Sequence, residues 1–321
     1  MKRVLIDCDP GMDDGVALLL ALGSDELVID AITAATGNLT ADLTSANVLR
    51  ILDLAAAGEI PVGQGPLQPL VRPYPRDPFS HGDDGLGGTW LPRSARSLDP
   101  RPASQLIIDT VRAHPGELTI IATAPLTNVA LALLQAPEIA AQVDGLVAIA
   151  GAFGFNEFAQ RYATGDNPVS EWNVRVDPEA ARIVFRSGIP MLAIGVDVWG
   201  RPSLNLAPHH RKELAVSAEA AAGFLSSVAT YVEGRGYGTY TVHIDAIAVA
   251  AVLDPSLLRT ERLRVDVETA GELTVGQTVV DRRLHHRWSH LPEVDVAFEV
   301  DADRYLDLLV GRLASTPART G

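Results

Sequence analysis

The stretch that decides the fold is RVLIDCDPGMDDGVALLLALG, residues 3–23. It opens on a short apolar run, RVLID, that reads as a buried strand, and continues as a helix over residues 13–24 that ends near Gly23. A Pro-Gly turn at Pro10 and Gly11 joins the two. Four carboxylates, Asp7, Asp9, Asp13 and Asp14, crowd this turn. Like charges this close repel and raise one another's pKa. A hard cation with oxygen ligands, the N–H groups of the following helix, or water could relieve them. A Pro-Gly turn aims side chains, which favours the first two over plain solvation.

The same strand–turn–helix rhythm continues outward. LVIDAITAAT (27–36), IPVGQG and LTIIATA (118–124) read as strands, as do the runs at 145–154 and 190–198. Helices are expected over 40–58, from Ser104 to Gly116, over 125–137 with Pro125 in the first turn, and over 177–188. Strands this continuously apolar, alternating with helices, predict an α/β, Rossmann-like fold with a mostly parallel central sheet flanked by helices. After about residue 207 the pattern becomes helical, over 207–232 and 239–253, and then β-rich, with a last helix at 302–314. These are expected to be helical and small β additions toward the C-terminus. A single domain over residues 1–321 is expected, with the Pro/Gly-rich segment 72–103 as an active-site loop.

Open parallel sheets bind ligands at the carboxyl ends of their strands. The acidic turn sits at such an end. The same logic nominates Thr36–Asn38, Ala122–Ala124, the stretch from Gly151 and Asp197. A cation in the acidic turn needs about six to eight oxygens if it is Ca²⁺. Asp245, which opens the apolar run DAIAVAAVLD, is the best candidate to complete the set.

Composition narrows the function further. Lys and Arg total 26 against 40 Asp and Glu, a net charge of −14. That argues against nucleic acid or an anionic membrane as partner and permits a cation and a neutral small molecule. Cys8 is the lone cysteine, so no intrachain disulfide forms. Its place in an apolar strand reads as core packing. The N-terminus shows no leader-like apolar stretch, and no run of 18 apolar residues occurs, so a cytoplasmic location is expected.

DCDPGMDDGVALLLAL together with TAATGN (33–38), HGDDGLGG (81–88), TAPLTNVALAL (123–133), EWNVRVDPEAARIVF (171–185) and DAIAVAAVLDP (245–255) resembles the inosine-uridine preferring nucleoside hydrolase family. The likeness covers essentially the whole chain in order, and the D-x-D-P-G-x-D-D string is its most specific part. It implies a calcium-dependent N-ribohydrolase that cleaves a small-molecule ribonucleoside into base and ribose, and a homodimer or homotetramer. Carried over by position, Asp9, Asp14, Asp245 and the Thr123 carbonyl hold Ca²⁺, and Asp9 also takes a proton from the calcium-bound water. Asp13, Asn38, Glu171 and Asn173 hold ribose hydroxyls, His81 touches the 5′ side, and Asp7 supports the others from behind.

The sequence departs from that pattern in three places. Many relatives carry a His directly before the last calcium Asp, where it assists departure of the base. Here that position is Ile244, and His243 is the nearest catalytic candidate, turned by about 100° if the segment is helical. Trp172 replaces the usual Phe, and Trp90, Trp199, Tyr231, Tyr237 and Tyr240 are further aromatics available to the base. The segment 151–173 is longer than usual, so the family's asparagine upstream of Glu171 is Asn156 or Asn167, with Asn167 the nearer.

Two rivals remain at this stage. A dehalogenase-type phosphatase also shows D-x-D at a strand end, but it needs a lysine near its nucleophile. Lys2 and Lys212, the only lysines, lie at no expected strand end. A non-hydrolytic nucleoside- or calcium-binding protein on the same fold is the other.

Overall fold

The computed structural model describes residues 1–75, 80–164 and 167–315. Residues 76–79 of the expected loop and 165–166 of the long 151–173 segment lie outside the described residues.

The first strand, β1 (Lys2–Cys8), sends Val4, Ile6 and Cys8 into one buried cluster and Leu5 into another on the opposite face. A strand covered on both faces has no polar side to show, which is why RVLID reads as unbroken apolar. Every residue of α1 (Met12–Leu22) is buried. The alternation runs on through β2 (Leu27–Ala34), α2 (Ala41–Leu54), β3 (Val62–Gln64), α3 (Ala103–Ala113), β4 (Leu118–Ala122), α4 (Thr127–Gln135) and β5 (Gly145–Ile149). Two short helices, α5 (Phe158–Arg161) and α6 (Trp172–Val176), precede α7 (Pro178–Phe185), β6 (Met191–Ile194) and the one-turn α8 (Val196–Trp199). The remainder comprises α9 (Pro208–Val216), α10 (Ala220–Gly234), α11 (Ala246–Leu253), β7 (Leu258–Val267), β8 (Thr278–Asp281), β9 (Val294–Val300) and α12 (Ala302–Ser315).

These strands form one sheet in the order β3-β2-β1-β4-β5-β6-β9-β7-β8. Pairing is parallel from β3 through β6 to β9, and β7 and β8 close that edge antiparallel. The strand order reverses between β1 and β4, so their carboxyl ends diverge and leave a crevice there. Side chains of α1, α2, α10, α11 and α12 pack on one face, and those of α3, α4 and α7 on the other.

The C-terminal β segments are not an appendage, because β9 docks beside β6 and extends the central sheet. Pro125 lies just before α4 rather than in its first turn. The 190–198 run leaves the sheet at Ile194. Asp197 then accepts the N–H groups of Phe153 (2.7 Å) and Phe155 (2.6 Å), which fixes the loop after β5 instead of facing a ligand. The expected helix over 239–253 is broken. A 3₁₀ turn covers Thr239–Val242, His243 leaves helical space at φ −145°, and α11 begins after Asp245.

Candidate active site

The crevice between β1 and β4 opens into a cavity of about 450 Å³. Its floor is built by three strand ends and one helix start. Asn38 follows β2, Thr123 follows β4, and Asp245 stands at the head of α11, all three lining the cavity with Asp13; Asp9, which follows β1, lies fully buried beneath them with Asp14. The Pro-Gly turn places Asp13 and Asp14 in the first turn of α1, facing Asp245 across the packed α1–α11 pair.

Each carboxylate is tied down. Asp14 Oδ1 accepts the Thr123 hydroxyl (2.7 Å) and the Asp9 N–H (3.2 Å), and Oδ2 accepts the Gly11 N–H (3.1 Å). Asp9 Oδ2 accepts the Asn38 N–H at 2.5 Å. The turn before Asn38 passes so close that a Cβ on Gly37 would collide with that oxygen, so only glycine fits. Asn38 Nδ2 reaches the Asp9 carbonyl and Asp14 Oδ2, both at 3.3 Å. Behind them, Asp7 Oδ1 accepts from Thr33 (2.6 Å) and Asn128 (2.8 Å).

One oxygen from each of Asp13, Asp14 and Asp245 lies within 4.8 Å of the other two. This group contains Asp13 where the sequence suggested Asp9. The Asn38 N–H, 29 residues along the chain, holds Asp9 Oδ2, while α1 presents the adjacent Asp13 and Asp14 to Asp245. Asp9 Oδ1, Asp13 Oδ1 and Asp7 Oδ2 are buried with no hydrogen-bond partner among the described residues. Burial and then mutual repulsion push Asp14 up to about 7 and hold Asp9 and Asp245 well above the usual carboxylate range. Burial raises Asp7 to about 7 and Asp13 to about 6. Orphaned oxygens and raised pKa values are what a positive charge placed among carboxylates would relieve. The donor set is all oxygen, which suits a hard divalent cation.

A second group of potential ligands, His209, His210 and Asp307, lies where α9 meets α12. There His210 Nδ1 accepts the Ala207 N–H at 3.3 Å and Nε2 pairs with Asp307 Oδ1 at 3.1 Å. Both ring nitrogens are used, and the pairing accounts for the cluster without an ion.

Glu171, Asn173 and His81 line the cavity beside this floor. Glu171 caps α6, with Oε1 accepting the Asn173 N–H (2.9 Å) and Oε2 those of Gly151 (3.1 Å) and Val174 (3.2 Å). Burial raises Glu171 to about 7 against those hydrogen bonds. Asn173 Nδ2 donates to the carbonyls of Thr123 (2.9 Å) and Ile149 (3.0 Å), tying the end of β4 to that of β5. His81 Nδ1 accepts the Met12 N–H at 3.1 Å and stands 3.8 Å from Asp13 Oδ1. The glycine-rich loop carrying His81 has positive φ at Gly82, Gly85, Gly87 and Gly88.

The sequence profile of the inosine-uridine preferring nucleoside hydrolases matches residues 4–307. The chain belongs to that family. Among curated relatives, the pyrimidine-specific ribonucleoside hydrolase RihA of Citrobacter koseri is 37% identical over 314 residues, 97% of each chain. Among solved structures, the plant nucleoside hydrolase PpNRh1 superposes with a TM-score of 0.85 at 32% identity, covering 98% of this chain and 99% of that one. The purine-preferring ribonucleoside hydrolase of Gardnerella vaginalis gives 0.85 at 30% identity over the whole of both chains. This chain is therefore a nucleoside hydrolase, and no helix among its described residues is long and apolar enough to cross a membrane.

The opposite wall of this nucleoside hydrolase is where the sequence reading fails. His243 does not line the cavity; Thr241, Ile244 and Asp245 do. The break after the 3₁₀ turn rotates His243 into the protein, fully buried, with Nδ1 3.1 Å from the Tyr305 hydroxyl. Burial lowers its pKa to about 4, so it stays neutral. Neither candidate asparagine reaches the cavity. Asn167 donates to the Val275 carbonyl (2.9 Å), and Asn156 donates to the Asp197 carbonyl (2.9 Å). Both spend their amides holding the long segment in place. That segment instead delivers Arg161, Tyr162 and Thr164 to the wall, where Trp172, Trp199, Tyr237 and Tyr240 join them. Tyr162 had no signal in the sequence, because a short irregular segment carries no periodicity that fixes which way a side chain faces.

Proposed function

We propose that this enzyme hydrolyses the N-glycosidic bond of a ribonucleoside to free base and ribose, with Asp9 as general base beside a bound Ca²⁺. One observation carries the reading: carboxylates from both ends of the chain converge on one face of a cavity whose other face is aromatic. Asp14 and Asp245, with the Thr123 carbonyl and oxygens of Asp9 and Asp13, would hold the cation. When bound, such an ion orients a water and eases its deprotonation.

The chain's own groups do the rest. Asp9 Oδ1 lacks a partner while Oδ2 is fixed by the Asn38 N–H, so one oxygen anchors the side chain and the other can accept a proton. The glycosidic bond breaks through an oxocarbenium-like state, and the acidic floor favours that cationic sugar over its neutral ground state. Asp13 and Glu171 line the cavity as acceptors for ribose hydroxyls. A deoxyribonucleoside would leave such a buried acceptor unpaired, so ribose is preferred. His81, whose Nδ1 accepts the Met12 N–H, lines the cavity on the side proposed for the 5′ hydroxyl. Asn38 and Asn173 position the strand ends, since their amide nitrogens are spent on Asp9, Asp14, Thr123 and Ile149.

The test is ribose release from uridine, cytidine, inosine and adenosine by the Ca²⁺-loaded enzyme, read with a reducing-sugar assay. Release from at least one is expected, and Asp9→Ala should lower it by about 10³-fold. Release from none, with Ca²⁺ bound, would favour a non-hydrolytic binder. Activity of Asp9→Ala within about threefold of the parent would remove Asp9 from the base role.

A further inference from the structure

The floor accounts for the sugar, but a base cannot leave easily with its new negative charge unmet. Ile244 offers nothing there, and His243 is turned away. Several other polar groups on the same wall are poorly placed to reach it. The Thr241 hydroxyl donates to the Gly238 carbonyl at 2.8 Å. The indole nitrogens of Trp172 and Trp199 are shut off from the open space. Arg161 stands at the mouth with its side chain 61% exposed, 3.7 Å from Glu157.

Tyr162 and Tyr240 are placed differently. Both line the cavity and are partly buried, and neither hydroxyl has a hydrogen-bond partner among the described residues. Their rings meet edge to face at 5.9 Å and 72°. Tyr162 follows α5 in the long segment, whereas Tyr240 lies in the 3₁₀ turn four residues before Ile244. The backbone makes room for both rings. A Cβ on Gly238 would lie 2.8 Å from the Tyr240 ring, and one on Gly200 would lie 3.3 Å from that of Tyr162. Burial, and then the neighbouring Tyr162, push the Tyr240 phenol up to about 12, so it keeps its proton at neutral pH.

We infer that Tyr240, steadied by the ring of Tyr162, is the hydrogen-bond donor that receives the departing base, in place of a histidine at position 244. This rests on the ribonucleoside reading above. The fit is to a base with a carbonyl oxygen or ring nitrogen away from the glycosidic nitrogen. In the step, water oxygen bonds to C1′ as the C1′–N bond breaks, and the bonding pair goes to the base. Asp9 takes the water proton and passes it to solvent. The base draws its proton from solvent, and Tyr240 donates a hydrogen bond throughout without losing its own proton. The donor is worth most as charge develops on the base, so it acts on the rate more than on binding.

The test compares two leaving groups in Tyr240→Phe and Tyr162→Phe. One substrate is the best natural nucleoside; the other is p-nitrophenyl β-D-ribofuranoside, whose phenolate departs without help. Tyr240→Phe should lose about 10²-fold in kcat/KM on the nucleoside and stay within about threefold on the aryl riboside. Tyr162→Phe keeps the ring that steadies Tyr240, so it should stay within about tenfold on the nucleoside and unchanged on the aryl riboside. Equal losses on both substrates would assign Tyr240 a purely structural role and overturn the inference, as would an unchanged nucleoside rate. A wild-type enzyme that cleaves neither substrate overturns the hydrolase reading itself, and this inference with it.

Discussion

The two faces of the cavity are built on different terms. The floor is a set of strand ends and helix starts whose polar groups hold one another: Asp14 alone gathers Thr123, Gly11, Asp9 and Asn38. The opposite wall is made largely of one-turn helices and irregular segments, and the Tyr162 and Tyr240 hydroxyls have no hydrogen-bond partner among the described residues. A floor of this kind cannot shift one group without unpairing several others in a low-dielectric site. The wall can exchange side chains at little structural cost. The same family can therefore keep one sugar chemistry while its members are named for different bases, pyrimidine in one relative and purine in another.

Breaking the floor should have the largest effect. Asp14→Asn keeps the shape but removes a negative charge from the cluster and puts an amide where an oxygen accepts; ribose release should fall by about 10³-fold. A cation-binding titration should show weakened affinity in step. Retained affinity and rate would mean that the three-carboxylate group is not the seat of the ion.

The next largest effect is on stability. Removing the cation by chelation should lower Tm by about 5 °C, taking the ion at about 100 times its Kd and thus about 2.7 kcal/mol of stabilisation. Differential scanning calorimetry with and without chelator reads this directly. An unchanged melting curve would make the raised carboxylates a standing strain with no ion to relieve it.

The smallest effect sharpens the boundary between the two regions. His243→Ala should destabilise by about 1–3 kcal/mol, because it empties a fully buried imidazole site and removes the Nδ1 contact to the Tyr305 hydroxyl, which keeps its bond to the residue 243 carbonyl, yet leave kcat within about threefold. A fall of about 100-fold in kcat at unchanged Tm would return His243 to the catalytic wall.

Sequence by itself determined the parallel part of the sheet and much of the floor. The acidic turn, Asn38 and Thr123 followed from strand ends, because a parallel α/β sheet brings such ends together whatever the loops do, Asp245 from a carboxylate heading an apolar run, and Glu171 and Asn173 from the resemblance to a family motif. Only the tertiary structure decided which carboxylates group together, since one backbone N–H from β2's end, far along the chain, pulls Asp9 aside. It also decided that 239–253 breaks, turning His243 inward and leaving Ile244 in the wall. And it turned Tyr162, rather than Asn156 or Asn167, toward the cavity. Helical phase and side-chain direction in short irregular segments are set by what they pack against, and no pattern in the segments themselves carries that information.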